Sequence, residues 1–364
     1  MRLATISLVV FATTAVAADP DKDGFVPLFN GKDLSGWEYV NTPQKTFYVK
    51  DGMIVTTGNP TGFLRSDRHY ENFVLEMEWM HTNTKAVGNS GLFVWGDPIP
   101  AVGTPYTRGI EVQVLVNLEY RDKKSNAVTA SSHGDLFSIW GAKCKPDRPH
   151  PAGWERCLPS ENRAKGGGEW NHYRVEANNG VIKLHVNGKE VSGVSECNPR
   201  KGYLALESEG AECKFRNIRI KELPSTNPKP DEVAKVTAGE KALFNHLDLE
   251  GWTSFVPPGS SSNNGWKATG GRLVAGGTDY LETKQKYGPC ELVFDWKVPA
   301  KSESPTCVVS VGGRKFTVEL PKGGKPAGQW NRQTITVDAP GAAPIQFLPA
   351  AGLEIMNVFV RELK

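Results

Sequence analysis

An internal repeat constrains the fold of this chain more than any other feature of its sequence. The block LFNGKDLSGW at 28–37 returns as LFNHLDLEGW at 243–252. Three more pairs follow in the same order: FVLEMEW with CELVFDW, GEWN with GQWN, and FRNIRIKEL with IMNVFVREL. Four collinear matches indicate a duplicated structural unit, so we predict two tandem copies of one fold.

The two copies differ in length between two shared tryptophans. Trp79 and Trp170 are 91 residues apart in the first copy, whereas Trp296 and Trp330 are 34 apart in the second, a difference of 57. A fold common to both copies does not require the extra segment, so its polar residues are better candidates for function than for packing. We predict that the recurring tryptophans pack in the two cores: Trp37, Trp79, Trp170, Trp252, Trp296 and Trp330.

Short alternating runs and turn signals predict an all-β protein. Apolar and polar residues alternate over Ile110–Leu115, which is typical of a strand with one buried face. Asn179-Gly180 and Asn187-Gly188 are residue pairs that hairpin turns prefer. Many short strands joined by such turns favour a two-sheet sandwich or jelly roll. The other predicted strands are Phe47–Val55, Val74–Trp79, Leu92–Trp95, Tyr173–Ala177, Val181–Val186, Tyr203–Ser208 and Phe215–Ile220.

The N-terminal residues, a linker and the net charge limit the class of protein. Residues 1–17 combine Arg2, an apolar run and a small-x-small site at 15–17, as secretory signals do, so we expect an exported protein without membrane insertion. Units at 25–223 and 239–364 flank a Pro-, Lys- and Asp-rich linker at 224–238. Lys and Arg number 43 against 40 Asp and Glu, and this near-neutral balance does not favour a nucleic-acid partner.

Six cysteines in an exported chain permit disulfide bonds. Their fifteen pairings stay open on sequence alone. The segment 143–168 is too long and too charged for a plain connection, and a bridge within it would favour an ordered, functional loop. A local pairing would keep each bridge inside one unit: Cys144 with Cys157, Cys197 with Cys213, and Cys290 with Cys307.

Seven blocks in order resemble a bacterial family named for 3-keto-disaccharide hydrolysis. The resemblance spans Phe25–Leu223, and the second copy resembles a degenerate member that lacks three of the blocks. It implies a concanavalin A-like jelly-roll β-sandwich, in two tandem copies, whose concave face binds sugar. The blocks are Leu28–Trp37, Gly88–Val94, Gly109–Leu115, His133–Gly134, Gly168–Asn171, Asn187–Gly188 and Phe215–Ile220.

The resemblance also implies action on glycosides whose C3 hydroxyl is oxidised to a ketone, with help from a divalent cation. The ketone acidifies the C2 proton, a base removes it, the C1 substituent leaves, and water adds across the double bond. Such a site needs a base with a pKa near the working pH. It also needs positive charge or donors at the enolate oxygen, a task that a metal performs as well. The expected partners are the carbohydrate and an upstream sugar 3-dehydrogenase.

Three residues of the extra segment are the catalytic candidates. Glu111 shares a strand face with Gln113, about 7 Å away, and is the first candidate for the base. His133 and Asp135 would share a face in extended backbone, and such a pair suits a hard or borderline cation. Glu111, His133 and Asp135 are therefore also the candidate metal ligands.

Four further residues are candidates for substrate contact. Gln113 and Asn89 carry amides that pair with sugar hydroxyls, Trp95 has a face for a pyranose ring, and Arg108 begins the Glu111 strand. Other interpretations are a solvated sheet face for Glu111 and Gln113, a turn for Asn89, core packing for Trp95 and plain exposure for Arg108.

Two other function classes fit the same fold. An ordinary retaining glycosidase needs two carboxylates about 5 Å apart, whereas this strand pairs an acid with an amide. A non-catalytic carbohydrate-binding module is the other alternative, either for the whole chain or for the second copy alone.

Overall fold

The alternating runs form strands, and all but one separate two-stranded pair of the described strands lie in four antiparallel sheets stacked as two tandem sandwiches. This confirms the predicted all-β class. The computed structural model describes residues 19–116, 120–121, 124, 126, 128–130, 134–261, 265–302, 305–320, 325–338 and 341–363. Among these residues no helix has the length and apolar character needed to cross a bilayer.

The first sandwich is built from the first eighteen strands of the described chain. Sheet 1 has the order β12-β16-β15-β14-β6-β18-β4-β3, with β1 also on β18. Sheet 2 has the order β13-β11-β8-β7-β17-β5-β2, and β9 pairs with β10. The bounds are β1 Val26–Pro27, β2 Trp37–Val40, β3 Phe47–Lys50, β4 Met53–Thr56, β5 Gly62–Ser66, β6 Phe73–His81, β7 Gly88–Gly96, β8 Gly109–Val116, β9 Tyr120–Arg121, β10 Val128–Ala130, β11 Leu136–Ile139, β12 Lys143–Pro146, β13 Arg156–Cys157, β14 Asn171–Asn178, β15 Val181–Val186, β16 Lys189–Asn198, β17 Tyr203–Ser208 and β18 Cys213–Glu222.

The second sandwich follows a 3₁₀ turn at Pro230–Glu232. Sheet 3 has the order β21-β22-β29-β24-β27, with β19 also on β29, and sheet 4 has the order β20-β23-β28-β25-β26. The bounds are β19 Lys241–Ala242, β20 Trp252–Phe255, β21 Lys267–Thr269, β22 Arg272–Val274, β23 Tyr280–Tyr287, β24 Cys290–Lys297, β25 Thr306–Val311, β26 Arg314–Glu319, β27 Asn331–Val337, β28 Ala343–Phe347 and β29 Glu354–Glu362.

The predicted strands match the observed ones except at one turn. The run Phe47–Val55 is a hairpin, β3 and β4, because Asp51 and Gly52 adopt positive φ (51° and 73°) and reverse the chain. The remaining predicted strands fall inside observed ones. Asn179-Gly180 and Asn187-Gly188 have positive φ at both residues, as the hairpin prediction requires.

Each sandwich has its own apolar core. Ile110, Val112 and Val114 of β8 lie in the first core and are fully buried, which confirms the predicted inner face of this strand. Trp170 and Trp330 correct the prediction that every recurring tryptophan packs in a core. Both are half-buried, beneath the cationic groups of Arg216 and Lys297 respectively.

The six cysteines are free and buried, so the local disulfide pairing does not form in this structure. Cys197 on β16 and Cys213 on β18 are separated by three intervening strands of sheet 1. At about 4.8 Å per strand this is roughly 19 Å, far beyond the reach of a disulfide.

The two sandwiches pack together through the outer faces of sheets 2 and 3. Val40, Phe63 and Phe93 of sheet 2 form one buried apolar cluster with Val293 and Phe359 of sheet 3. Each such side chain stabilises the contact by about 1.5–3 kcal/mol when fully buried. The second sandwich therefore covers part of the face that carries Glu111.

Candidate active site

The outer face of sheet 2 carries a row of polar side chains on its central strands. Glu111 and Gln113 project from β8 to the face opposite the core, because alternate residues of a strand point to opposite sides. Phe93 and Gly91 of β7 lie opposite them in the ladder. Glu111 is 6% exposed and Gln113 5%, so this face is covered and is not a solvated sheet surface.

A third strand brings a second carboxyl to Glu111. Leu206 of β17 pairs with Leu92, which places Glu207 beside Gly91. A Cβ at Gly91 would lie 2.9 Å from Oε2 of Glu207 and 3.0 Å from Oε1 of Glu111. The two carboxyls therefore converge over Gly91, and a Cβ at this position would push one of them aside.

Amide and phenol groups extend this cluster towards the end of β17. Nε2 of Gln113 donates to Oδ1 of Asn89 (2.8 Å), and Nδ2 of Asn89 donates to Glu209. The hydroxyl of Tyr106 donates to the other oxygen of Glu209 at 2.7 Å. Asn89 lies within β7 and not in a turn, so its side chain belongs to the cluster.

One cation lies at the other side of the cluster. Arg156 of β13 forms an ion pair with the fully buried carboxylate of Asp135, with Nε at 2.9 Å from Oδ2. It also donates to Oε1 of Gln113 at 3.3 Å, and its guanidinium stacks over Phe137, 4.1 Å from the ring centroid. Arg156 thereby brings positive charge next to the row that starts at Glu111.

Burial and mutual repulsion change the acidity of the clustered carboxyls. Burial raises the pKa of Glu111 to about 8, aided by the charge of Glu209 and opposed by that of Arg156. Burial, followed by the neighbouring charge of Glu111, raises the pKa of Glu207 well above its usual range. Two neighbouring carboxyls titrate as a pair, and a difference in their surroundings lets them divide acid and base roles.

The comparison with known proteins concerns the unit that carries this cluster. Residues 24–221, more than half of the chain, match the family described as a 3-keto-alpha-glucoside-1,2-lyase-like domain. The chain belongs to this family. We refer to residues 24–221 below as the lyase-like unit.

Similar proteins include one relative found by its sequence and two solved structures. A 3-keto-disaccharide hydrolase of Bacteroides thetaiotaomicron is 23% identical over 252 residues, which cover 56% of this chain and 80% of that protein. A solved structure from Parabacteroides distasonis, described as a glycosyl hydrolase, is 22% identical, covers 56% of this chain and 95% of that one, and has a TM-score of 0.43. The carbohydrate-binding module CBM66 from Bacillus subtilis is 14% identical, with shares of 51% and 96% and a TM-score of 0.37. Because both TM-scores are below 0.5, the fold is established by the sheets of this chain alone.

The lyase-like unit brings together part of the predicted site. Glu111, Gln113 and Asn89 lie in one cluster, and Asp135 joins it through Arg156. Arg108 lies just before β8 and pairs with Asp97 at 2.9 Å. His133 lies outside the described residues.

Trp95 does not reach the cluster, which corrects its expected contact with a sugar. Strict alternation along β7 would put Trp95 on the outer face together with Phe93. Trp95 instead has φ of 57°, beside a register shift between β7 and β17, and the local bulge turns its ring inward. It is fully buried in the first core, and its indole N–H donates to the carbonyl of Glu71.

Two residues of the cluster, Tyr106 and Arg156, were not among the predicted site residues. They lie in the segment that the second copy lacks, so the length difference already marked their neighbourhood. Glu207 in β17 and Glu209 just after it alternate along the chain, and this spacing weakly indicated a place on the concave face without showing that they meet Glu111. The meeting of Glu111 with Glu207 depends on which strands pair.

The described residues do not form the expected metal site. They contain no group of three or more histidine, cysteine, aspartate or glutamate side chains placed to hold a metal ion. The carboxylate of Asp135 is held by Arg156, so it is not a free ligand beside Glu111. The divalent cation stays a prediction.

We expect Glu207→Gln to stabilise the protein at alkaline pH. In the described chain neither carboxyl oxygen of Glu207 has a hydrogen-bond partner of good geometry, and both are buried. Because the pKa of Glu207 is raised in the folded state, the folded protein keeps this proton at pH values where the unfolded chain has lost it. The free energy of unfolding therefore falls as pH rises. The melting temperature of the variant should exceed that of the parent at pH 9 and match it near pH 4. The control is Glu38→Gln, because Glu38 lies on the same sheet and is exposed. If Glu207→Gln raised the melting temperature equally at pH 9 and pH 4, the expectation would be contradicted.

Proposed function

We propose that the lyase-like unit cleaves 3-keto-glycosides by elimination followed by hydration. The observation that carries this proposal is the convergence of two buried carboxyls with raised pKa, Glu111 and Glu207, next to the cation Arg156. Membership of the lyase-like family supports the same reaction class. Export of the protein and an upstream dehydrogenase that makes the keto sugar are part of the proposal.

The different surroundings of the two carboxyls suit them to opposite roles. Glu111, whose charged form the nearby Arg156 favours, removes the C2 proton, and the electrons of the C–H bond form the enolate between C2 and the C3 oxygen. The enolate then restores the ketone and breaks the bond from C1 to the glycosidic oxygen, which takes a proton from Glu207. The products are an enone sugar and the free alcohol.

Hydration reverses the proton transfers. Water adds its hydroxyl to C1 of the enone and gives its remaining proton to Glu207. Glu111 returns its proton to C2, which restores the saturated 3-keto sugar. Both carboxyls end in their starting protonation states, so no further proton donor or acceptor is needed.

Arg156 supplies the charge that the enolate requires. Its guanidinium lowers the pKa of Glu111, so its field extends to this carboxyl. The same positive charge stabilises negative charge that develops on the C3 oxygen, an effect that is strong in a buried site. Gln113, which bonds to Arg156, and Asn89, which bonds to Gln113, orient sugar hydroxyls.

The structure also favours one alternative, an ordinary retaining glycosidase. The sequence offered only one acid on the strand of Glu111, which counted against this class. Glu207 now provides the second carboxyl on the same face, as the two-carboxylate mechanism requires. A comparison of oxidised and unoxidised substrates separates the two reactions.

We expect the full-length protein to cleave a 3-keto-glucoside and to leave the unoxidised parent glucoside intact. Each substrate is incubated with and without a chelator, and free sugar and enone are followed by chromatography. Loss of activity with chelator would support the predicted divalent cation. Cleavage of the parent glucoside would favour the ordinary glycosidase, and binding without turnover of either substrate would favour a carbohydrate-binding module.

A further inference from the structure

The loop at 97–108 connects β7 to β8 and lies against the second sandwich. Three polar side chains of sheet 3 bind its backbone. Asp295 accepts the N–H of Gly103 at 2.9 Å, Asn357 donates to the carbonyl of Thr104 at 2.9 Å, and Arg332 donates to the carbonyl of Pro100 at 2.8 Å. The conformation of this loop is therefore set by residues about 200 or more positions away in the sequence.

The side chains that bind the loop also bind one another. Arg332 pairs with both oxygens of Asp295 (2.7 and 2.9 Å), and Asn357 donates to the same carboxylate at 2.7 Å. Asn41 of the first sandwich donates to Asn357 at 2.7 Å. Asp295, Asn357 and Asn41 are fully buried, and a buried network of this kind is stable in one arrangement because every lost bond leaves a polar group without a partner.

The turn of the loop also packs closely against an aromatic side chain of the second sandwich. Gly103 has φ of 75°, and a Cβ added there would lie 2.4 Å from Cγ of Trp330. Only glycine combines this backbone conformation with such a close approach. The half-buried position of Trp330, which the core prediction missed, is explained by this contact.

The far end of the same loop reaches the carboxyl cluster. The hydroxyl of Tyr106 donates to Glu209, and its ring stacks on Trp140 with an interplanar angle of 9°. The ring also packs against the apolar cluster shared by sheets 2 and 3. Tyr106 thus lies between the second sandwich and Glu209, whose charge acts on the two carboxyls of the proposed reaction, Glu111 and Glu207.

The acid–amide pair that binds the loop, Asp295 and Asn357, has a counterpart in the first copy. Asp295 and Asn357 occupy the repeat positions of Glu78 and Asn217. In the first copy Asn217 also donates to Glu78, at 2.7 Å. The second copy has kept the acid–amide pair and uses it to bind a loop that exists only in the first copy.

We propose that the second sandwich is a clamp that positions Tyr106 at Glu209 of the candidate site. In this role Asp295, Arg332, Asn357 and Trp330 act through the loop, and the second copy is not an independent sugar-binding module. The effect of the clamp on turnover rests on the proposed function, whereas the positioning of the loop by the second sandwich does not.

Hydrogen–deuterium exchange of the full-length protein tests the clamp without reference to activity. Gly103→Ala introduces a Cβ against Trp330 and should speed exchange of the 97–108 amides about tenfold or more, because local opening becomes easier. Gly153→Ala is the matched control, since Gly153 has nearly the same φ, 74°, and nothing within 4 Å of an added Cβ. Unchanged exchange of the loop in Gly103→Ala would overturn the proposal.

Turnover of a 3-keto-glucoside then tests whether the clamp acts through Tyr106. Gly103→Ala should lower kcat about tenfold or more with little change in KM, since small misplacements at a site cost large factors in rate. In a Tyr106→Phe background the same substitution should cause little further loss. Equal losses in both backgrounds would overturn a positioning role. If the parent protein turns over no keto-glycoside, the exchange experiment still decides whether the clamp exists.

Discussion

Replacement of Glu111 by glutamine is expected to lower kcat/KM on a 3-keto-glucoside about 10²–10⁴-fold, the range for loss of a general base. Glutamine has nearly the shape of glutamate, so the hydrogen-bonded row beside it is kept, but its amide accepts no proton from C2. Burial raises the pKa of Glu111 to about 8, so kcat/KM of the parent should rise with pH towards this value. The variant should lose that rise. Steady-state kinetics between pH 5 and 9 measure both effects.

The control for this experiment is an exposed carboxyl of the same sheet. Glu38 lies on β2, the edge strand of sheet 2 that is farther from the Glu111 strand, and its side chain is exposed. Glu38→Gln should retain the rate and pH profile of the parent. If Glu111→Gln keeps most of the activity while Glu207→Gln loses it, the base is Glu207, and the division of roles proposed for the two carboxyls is wrong.

Replacement of Arg156 by methionine is expected to destabilise the protein by about 3–5 kcal/mol, as breaking one side of a buried ion pair does. The side chain of Asp135 is fully buried and that of Arg156 is 12% exposed, so water does not replace the lost partner. The variant also loses the contact with Gln113 and the cation over Phe137. Urea denaturation at pH 7 measures the change in the free energy of unfolding.

Two further variants show whether the cost arises from the buried charge. Arg68→Met removes an ion pair with Glu222 whose partners are 50% and 47% exposed, and it should cost less than about 1 kcal/mol. Asp135→Asn combined with Arg156→Met removes both charges and should regain much of the stability. A loss in Arg156→Met no greater than in Arg68→Met would contradict the expectation.

The sequence alone determined the fold class and the duplication. Strand periodicity is a local property, so Ile110–Leu115 could be divided into a core face and a face for Glu111 and Gln113 without knowledge of their neighbours. The repeat gave the two copies, and the length difference marked the segment that holds Tyr106 and Arg156. Locally encoded turns such as Asn179-Gly180 were predicted for the same reason.

The tertiary structure alone decided which groups meet. Glu207 reaches Glu111 because β17 pairs with β7, a contact between residues more than a hundred positions apart, and no local pattern encodes such pairing. A bulge near the end of β7 turned Trp95 into the core, because one left-handed residue breaks the alternation of the strand. The position of Tyr106 depends on Asp295 and Asn357 of the other copy, whose contacts with its loop exist only when the two sandwiches are packed together.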